Sequence, residues 1–201
     1  MNCKSPFFGL PTLAQQYHAI LDVGCGIGQT IVASRLEEGK LLIGLDIDID
    51  SLSYGHREFD YIQFAAGTAE CLPFRNGTFD LVISSVTLPY THIPKSVSEI
   101  RRVLKNGGTF WLRLHPLTQV LRGLKDSISE LHLRGALFRS YVLINGLVFH
   151  FSGKLFALPF WNRCESFQTR SRIIKTLKAA GFAIVDIRRH DAFIVTARVG
   201  A

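Results

Sequence analysis

Short apolar runs alternate with stretches of helical spacing through most of the chain. That alternation predicts an α/β fold in which a mostly parallel, doubly wound sheet carries helices on both faces. Strands are predicted over 19–23, 41–45, 61–65, 81–84 and 109–114. The second is an uninterrupted apolar run, as expected of a strand covered on both faces. A helix should follow the first strand to about Glu38, with Gly39 as its stop, and Asp50 or Ser51 should cap another through about Arg57. The turn Arg75-Asn76-Gly77 precedes the fourth strand, and a helix over 96–104 should end at Asn106-Gly107-Gly108. From His115 to about Phe167 the alternation breaks down, with some helical spacing over 117–133. Order returns with a helix over 168–180, stopped by Gly181, and two strands over 183–188 and 193–198. Their connection is so short that the pair must be antiparallel, leaving one reversed strand beside the parallel ones.

The length of 201 residues, with 47% hydrophobic and 19% charged residues, suits one folded domain with a real core. No repeat or linker divides it, so residues 1–201 are read as one domain with 116–167 as an insertion or cap. Cys3, Cys25, Cys71 and Cys164 show neither CxxC spacing nor clustering, which fits free thiols in a reducing cytoplasm. The first residues lack an apolar core long enough for a signal peptide. Residues 141–161 are very apolar, yet Asn145, His150, Ser152 and Lys154 interrupt them, which makes a poor membrane span and leaves a surface contact open. Residues 1–100 carry 6 Lys/Arg against 11 Asp/Glu, a net of −5, and residues 101–201 carry 17 against 5, a net of +12. The basic half can attract an anionic substrate, nucleic acid or an acidic membrane face, or can be an ordinary solvated surface.

The most informative stretch is Ile20-Leu21-Asp22-Val23-Gly24-Cys25-Gly26-Ile27-Gly28-Gln29-Thr30. A strand, a tight glycine turn and a helix start let a ligand approach bare backbone at the carboxyl edge of a sheet. Asp22, ahead of the glycines, favours a ligand with a positive group over a pyrophosphate.

LDVGCGIG at 21–28, GLDID at Gly44–Asp48, GTAECLPF at Gly67–Phe74, FDLVISS at Phe79–Ser85 and EIRRVLKNGGTFWL at Glu99–Leu112 occur in that order. Together they resemble the class I S-adenosylmethionine-dependent methyltransferases, in particular the type 11 group that includes quinone-biosynthesis methyltransferases. The resemblance implies a Rossmann-like seven-stranded sheet of order 3-2-1-4-5-7-6 with an antiparallel last strand. It implies S-adenosyl-L-methionine as cofactor and S-adenosyl-L-homocysteine as product. Gly24, Gly26 and Gly28 would line the methionine part, with Asp22 orienting the loop or receiving the ammonium group. Cys25 belongs to the same loop, where a small side chain fits. Asp46 would accept two hydrogen bonds from the ribose hydroxyls, and Ile47 would pack on the adenine or join the core. Thr68 departs from the aspartate common in relatives, so its bond to the adenine amino group would lack charge. Ala69 and Glu70 would share that task, unless Glu70 is a surface acid. Ser84 and Ser85 would touch the methionine end through backbone groups or simply finish the strand.

Methyl transfer is an in-line displacement that needs alignment, exclusion of water and sometimes a base. Tyr90 and His92 follow the fourth strand and His115 follows the fifth. His115 and Tyr90 are the candidate catalytic groups, ahead of His150. No Cys/His pairs stand at metal-ligand spacing, and no GxSxG elbow is present. Gln29 breaks the dinucleotide fingerprint GxGxxG. Ser84-Ser85-Val86-Thr87 differs from the Asn/Asp-Pro-Pro-Tyr/Phe signature of many nucleic-acid amino methyltransferases. A small-molecule acceptor is therefore expected, apolar or anionic. Nucleic-acid or protein methylation and a non-catalytic cofactor-binding protein are the alternatives. The insertion 116–167 is the expected substrate cover, with Leu143, Phe149, Phe151, Phe156, Phe160 and Trp161 lining a pocket and Arg134, Arg139 or Arg163 meeting an anion. A packing subdomain or homodimer surface is the other reading of that segment.

Overall fold

The structure, a computed structural model, describes residues 17–34, 39–158, 164–188 and 193–200. Seven strands form one sheet: β1 Ala19–Val23, β2 Leu41–Asp46, β3 Gln63–Ala66, β4 Phe79–Ser85, β5 Leu104–Leu114, β6 Phe182–Arg188 and β7 Phe193–Val199. Their order is β3-β2-β1-β4-β5-β7-β6. All pairs from β3 to β5 are parallel, and β7 runs antiparallel to both neighbours. Alternate residues feed opposite faces. Leu21, Val23, Val82, Phe110 and Leu112 pack on one side, where helices α3 Ile93–Val103 and α6 Arg170–Ala179 supply Val97, Ile100, Ile173 and Leu177. Ile20, Leu81, Ile83 and Trp111 pack on the other, with Ile31 from helix α1 Gln29–Ala33. Truncating a buried leucine such as Leu21 in such a core costs about 2–5 kcal/mol.

Several boundaries differ from the pattern-based expectation, each for a local reason. Helix α2 spans Ile49–Glu58 and is capped by Asp48, whose carboxylate accepts the Asp50 and Ser51 amides at 3.1 and 3.3 Å. Asp50 instead lies in the first turn, where its charge suits the helix dipole. Helix α3 starts before Ser96, because His92 Nδ1 accepts the Lys95 amide and Pro94 occupies the first turn. Strand β3 begins two residues late, since a turn from Phe59 to Ile62 uses up the chain before it. Strand β5 starts at Leu104, whose buried side chain draws the chain into extended geometry beside Phe79 before the Gly107 turn. Helix α6 starts at Arg170, capped by the Thr169 hydroxyl. The end expected for α1 at Glu38 and the turn Arg189-His190-Asp191 lie outside the described residues.

The weakly patterned insertion is two helices, α4 Leu117–Ser129 and α5 Leu133–Ser152. Val120, Tyr141, Val142 and Phe167 form its own small core. A Cβ at Gly146 would collide with the Phe167 ring, so α5 and the chain ahead of α6 are in direct contact.

Candidate functional site

The strand order reverses between β1 and β4, the position at which open α/β sheets bind ligands beyond the strands' carboxyl ends. After β1 the chain turns through Gly24, Gly26 and Gly28, with φ of 77°, 54° and 93°. The Leu45 carbonyl accepts the Gly24 and Cys25 amides at 2.7 and 3.1 Å, so β2 holds the turn in place. Asp46 adds to this by accepting the Gly26 amide at 2.7 Å. At Gly24 a Cβ would collide with the Thr87 side chain, which reaches over from the end of β4. Only glycine combines that clearance with that φ.

Asp22 is fully buried beneath the turn, and neither of its oxygens has a hydrogen-bond partner among the described residues. Burial pushes its carboxyl up to about 7; the Thr30 hydroxyl, near but not aligned as a donor, works against the rise, and the Asp46 charge adds to it. Cys25 is buried, packed on Gly44, and its thiol bonds the Gly26 carbonyl. Burial, with the Asp22 and Asp46 charges beside it, pushes that thiol well above the usual range, so it fills space and is no nucleophile.

A cavity of about 920 Å³ opens over the strand ends. Gly24, Asp46, Ile47, Thr68, Ala69 and Glu70 line one part of it. Ile47 is 73% exposed, so it belongs to the cavity rim and not to the core. Glu70 accepts the His92 amide at 2.8 Å, tying the 67–74 loop to the start of α3. Ser85 and Tyr90 also line the cavity. Asp22, Cys25, Gly26, Gly28, Ser84 and His115 are not part of the cavity lining. Ser84 is fully buried, with its hydroxyl unbonded among the described residues.

Val86, Thr87, Thr91 and His92 complete the middle of the wall. Their place directly after the fourth-strand motif was the available signal. Val86 has φ of 66°, a strained conformation for a β-branched residue, and its amide is held by the Arg113 carbonyl at 2.9 Å. His115 meets the Tyr90 ring edge-on, with centroids 5.5 Å apart. Burial, with Arg139 and Arg113 nearby, lowers the His115 imidazole to about 4.

The far end is apolar and comes from the segment after α5: Leu155, Ala157, Leu158 and Cys164. Among the described residues, none of those expected there lines this wall. Phe149 is buried in the main core, Leu143 packs against the hairpin core, and Phe151 points outward, 78% exposed. Phe156 meets the Tyr141 ring, while Phe160, Trp161 and Arg163 lie outside the described residues. Arg134 is exposed, and Arg139 lies against Gly123. The wall is anchored by Asn145, fully buried on α5. Its amide donates to the Phe156 and Glu165 carbonyls at 3.1 and 2.9 Å, and its oxygen accepts the Phe156 amide at 3.1 Å. Among the described residues, no group of three His, Cys, Asp or Glu is placed to hold a metal ion.

Sheet order, glycine turn and acidic end of β2 define a Rossmann-like domain whose cavity borders the ends of β1, β2 and β4. Residues 21–112 match the family model described as a methyltransferase domain. Demethylmenaquinone methyltransferase of Symbiobacterium thermophilum is 38% identical over 100 residues, covering 45% of this chain and 40% of the relative. The chain spans less than half the length of the first curated relatives it matches. The crystal structure of a SAM-dependent methyltransferase from Methanosarcina mazei superposes with a TM-score of 0.65 at 20% identity, over 94% of this chain and 95% of that one. A geranyl diphosphate methyltransferase in complex with SAM gives 0.63 at 12% identity, over 97% and 82%. Over residues 21–112 the chain is similar to the methyltransferase domain family, and its fold is that of the S-adenosylmethionine-dependent methyltransferases superposed on it. S-adenosylmethionine is the cofactor of that family. The residues fit it: an unbonded buried carboxylate lies under the turn for a cationic ligand, and a bare glycine edge borders the cavity.

Proposed function

We propose that the chain transfers a methyl group from S-adenosylmethionine to a small apolar or anionic metabolite. The observation that carries this reading is one continuous cavity, acidic at Asp46 and Glu70 and apolar at Leu155, Ala157 and Leu158. The cofactor supplies a methyl carbon on a positively charged sulfur, already an activated leaving group. Asp46 bonds two backbone amides and keeps spare lone pairs for the ribose hydroxyls. Ile47 covers one adenine face, and Thr68 with the Ala69 backbone and Glu70 borders the other side. Gly24, Ser85 and Thr87 border the reacting end, while Asp22 sets the potential beneath it. Tyr90 faces the acceptor, with His115 bracing its ring. The segment after α5 serves as the acceptor cover, which keeps water from the reacting centre. A curated relative named for demethylmenaquinone supports a small-molecule acceptor. Free thiols at Cys25, Cys71 and Cys164 support a reducing, cytoplasmic setting.

The test is transfer of labelled methyl from the cofactor into fractionated cell extract by the purified chain. Label in small metabolites is expected, with S-adenosylhomocysteine formed in equal amount. Label in RNA or protein would overturn the acceptor class, and tight cofactor binding without turnover would make this a binding protein.

A further inference from the structure

The α4–α5 hairpin presents an apolar face that the cavity does not use. On α5, Leu133, Leu137, Ile144, Leu147 and Phe151 are all exposed, at successive intervals of 4, 7, 3 and 4 residues. At 100° per residue they fall within about 40° of one line, a stripe about 27 Å long. On α4, Leu117, Leu121, Ile128 and Leu131, just past its end, repeat the 4, 7, 3 spacing and are also exposed. The seam between the helices runs through Gly123 against Arg139 and Ser127 against Gly135. On each helix the stripe lies to one side of that seam, and because the helices are antiparallel both stripes turn to the same side. Tyr141, Val142, Asn145 and Phe149 of α5 are buried against the body of the protein. The hairpin is thus a flat layer, apolar outward, with Leu131 at its tip 85% exposed.

We propose that this face docks on the surface of an anionic lipid bilayer, lying in the interface without crossing it. Among the described residues no helix is long and apolar enough to span, whereas a two-helix apolar platform suits the headgroup boundary. Charge selects the occupant. Lys125 flanks the α4 stripe, while Arg122 and Asp126 lie on the half of α4 turned away from it. Residues 117–152 carry Arg122, Lys125, Arg134 and Arg139 against Asp126 and Glu130, a net of +2, so a second copy would bring like charges together, whereas acidic headgroups attract them. Phe151 ends the stripe four residues before Leu155, so the platform leads directly into the apolar cavity wall. Docking is independent of the acceptor's identity; an acceptor dissolved in the bilayer would meet the cavity there.

The test is co-sedimentation of the full chain with vesicles of phosphatidylcholine alone or mixed with phosphatidylglycerol. The wild-type chain should bind the mixed vesicles about tenfold more tightly. Leu137→Glu with Phe151→Glu should abolish sedimentation, and Lys125→Glu should reduce the preference for the anionic vesicles. Unchanged S-adenosylmethionine binding by these variants shows that they are folded. Wild-type protein left in the supernatant with both vesicles would overturn the proposal, as would variants that bind like wild type. A dimer in ultracentrifugation that the same variants dissociate, with no vesicle binding, would assign the face to a second copy and overturn it too.

Discussion

The Asp46 carboxylate accepts the Gly26 amide at 2.7 Å, joining the last residue of β2 to the turn after β1. Its other oxygen takes the Asp48 amide at 3.1 Å, just ahead of α2. One side chain therefore sets the turn and the entry to the next helix before any ligand arrives. Asp46→Ala should weaken S-adenosylmethionine binding about tenfold or more, and lower stability by about 1–3 kcal/mol. Calorimetry and urea unfolding measure the two effects; wild-type affinity in the variant would refute the role.

Gly24→Ala brings two faults at once, a Cβ against Thr87 and a φ of 77° on a residue with a side chain. The expected loss is about 3 kcal/mol or more, with cofactor binding lost. Adding Thr87→Gly should recover the steric part and leave the backbone part of about 1–2 kcal/mol. A double variant no more stable than Gly24→Ala would show that the contact is not the cause.

Asp22 gives stability a pH dependence of defined sign. Its carboxyl stands at about 7 in the fold against 3.8 ordinarily. Between those values the folded chain holds a proton that the unfolded chain has released. Its contribution is therefore complete below pH 3.8 and is lost as pH rises through 7. Asp22→Asn should remove this trend and be the more stable form at pH 8, by on the order of a few kcal/mol. Denaturant midpoints of both proteins across that range decide it.

His115 behaves oppositely. With its imidazole lowered from 6.5 to about 4, it is neutral at working pH and a weak base. Its stability contribution is present above 6.5 and is lost as pH falls through 4. The pH profile of kcat/KM for methyl transfer should show no inflection near 6.5 from this residue. An inflection there that vanishes in His115→Phe would make it the base after all.

Strands were legible wherever both faces are covered, because an unbroken apolar run such as that over 41–45 has few other uses. The glycine turn was legible because positive φ and close backbone approach demand glycine, and Asp46 stood out as the acid that ends β2. Helix starts were less so: His92 caps α3 through a ring nitrogen, which composition does not single out. The apolar end of the cavity was least legible. Leu155, Ala157 and Leu158 have no periodicity, and the large aromatics nearby were drawn into the core, as Phe149 was, or turned outward, as Phe151 was. In α5 apolar residues occur on the buried and the exposed sides alike, so spacing alone does not say which side is inside.

Asn145 grips the backbone at Phe156 and again at Glu165. A substitution at Ala157, Leu158 or Cys164, between those two points, alters the apolar end of the cavity without moving α5 or the glycine turn and Asp46. The apolar end of the cavity and its end at the glycine turn and Asp46 are thus mechanically separable, and one can evolve while the other stays fixed.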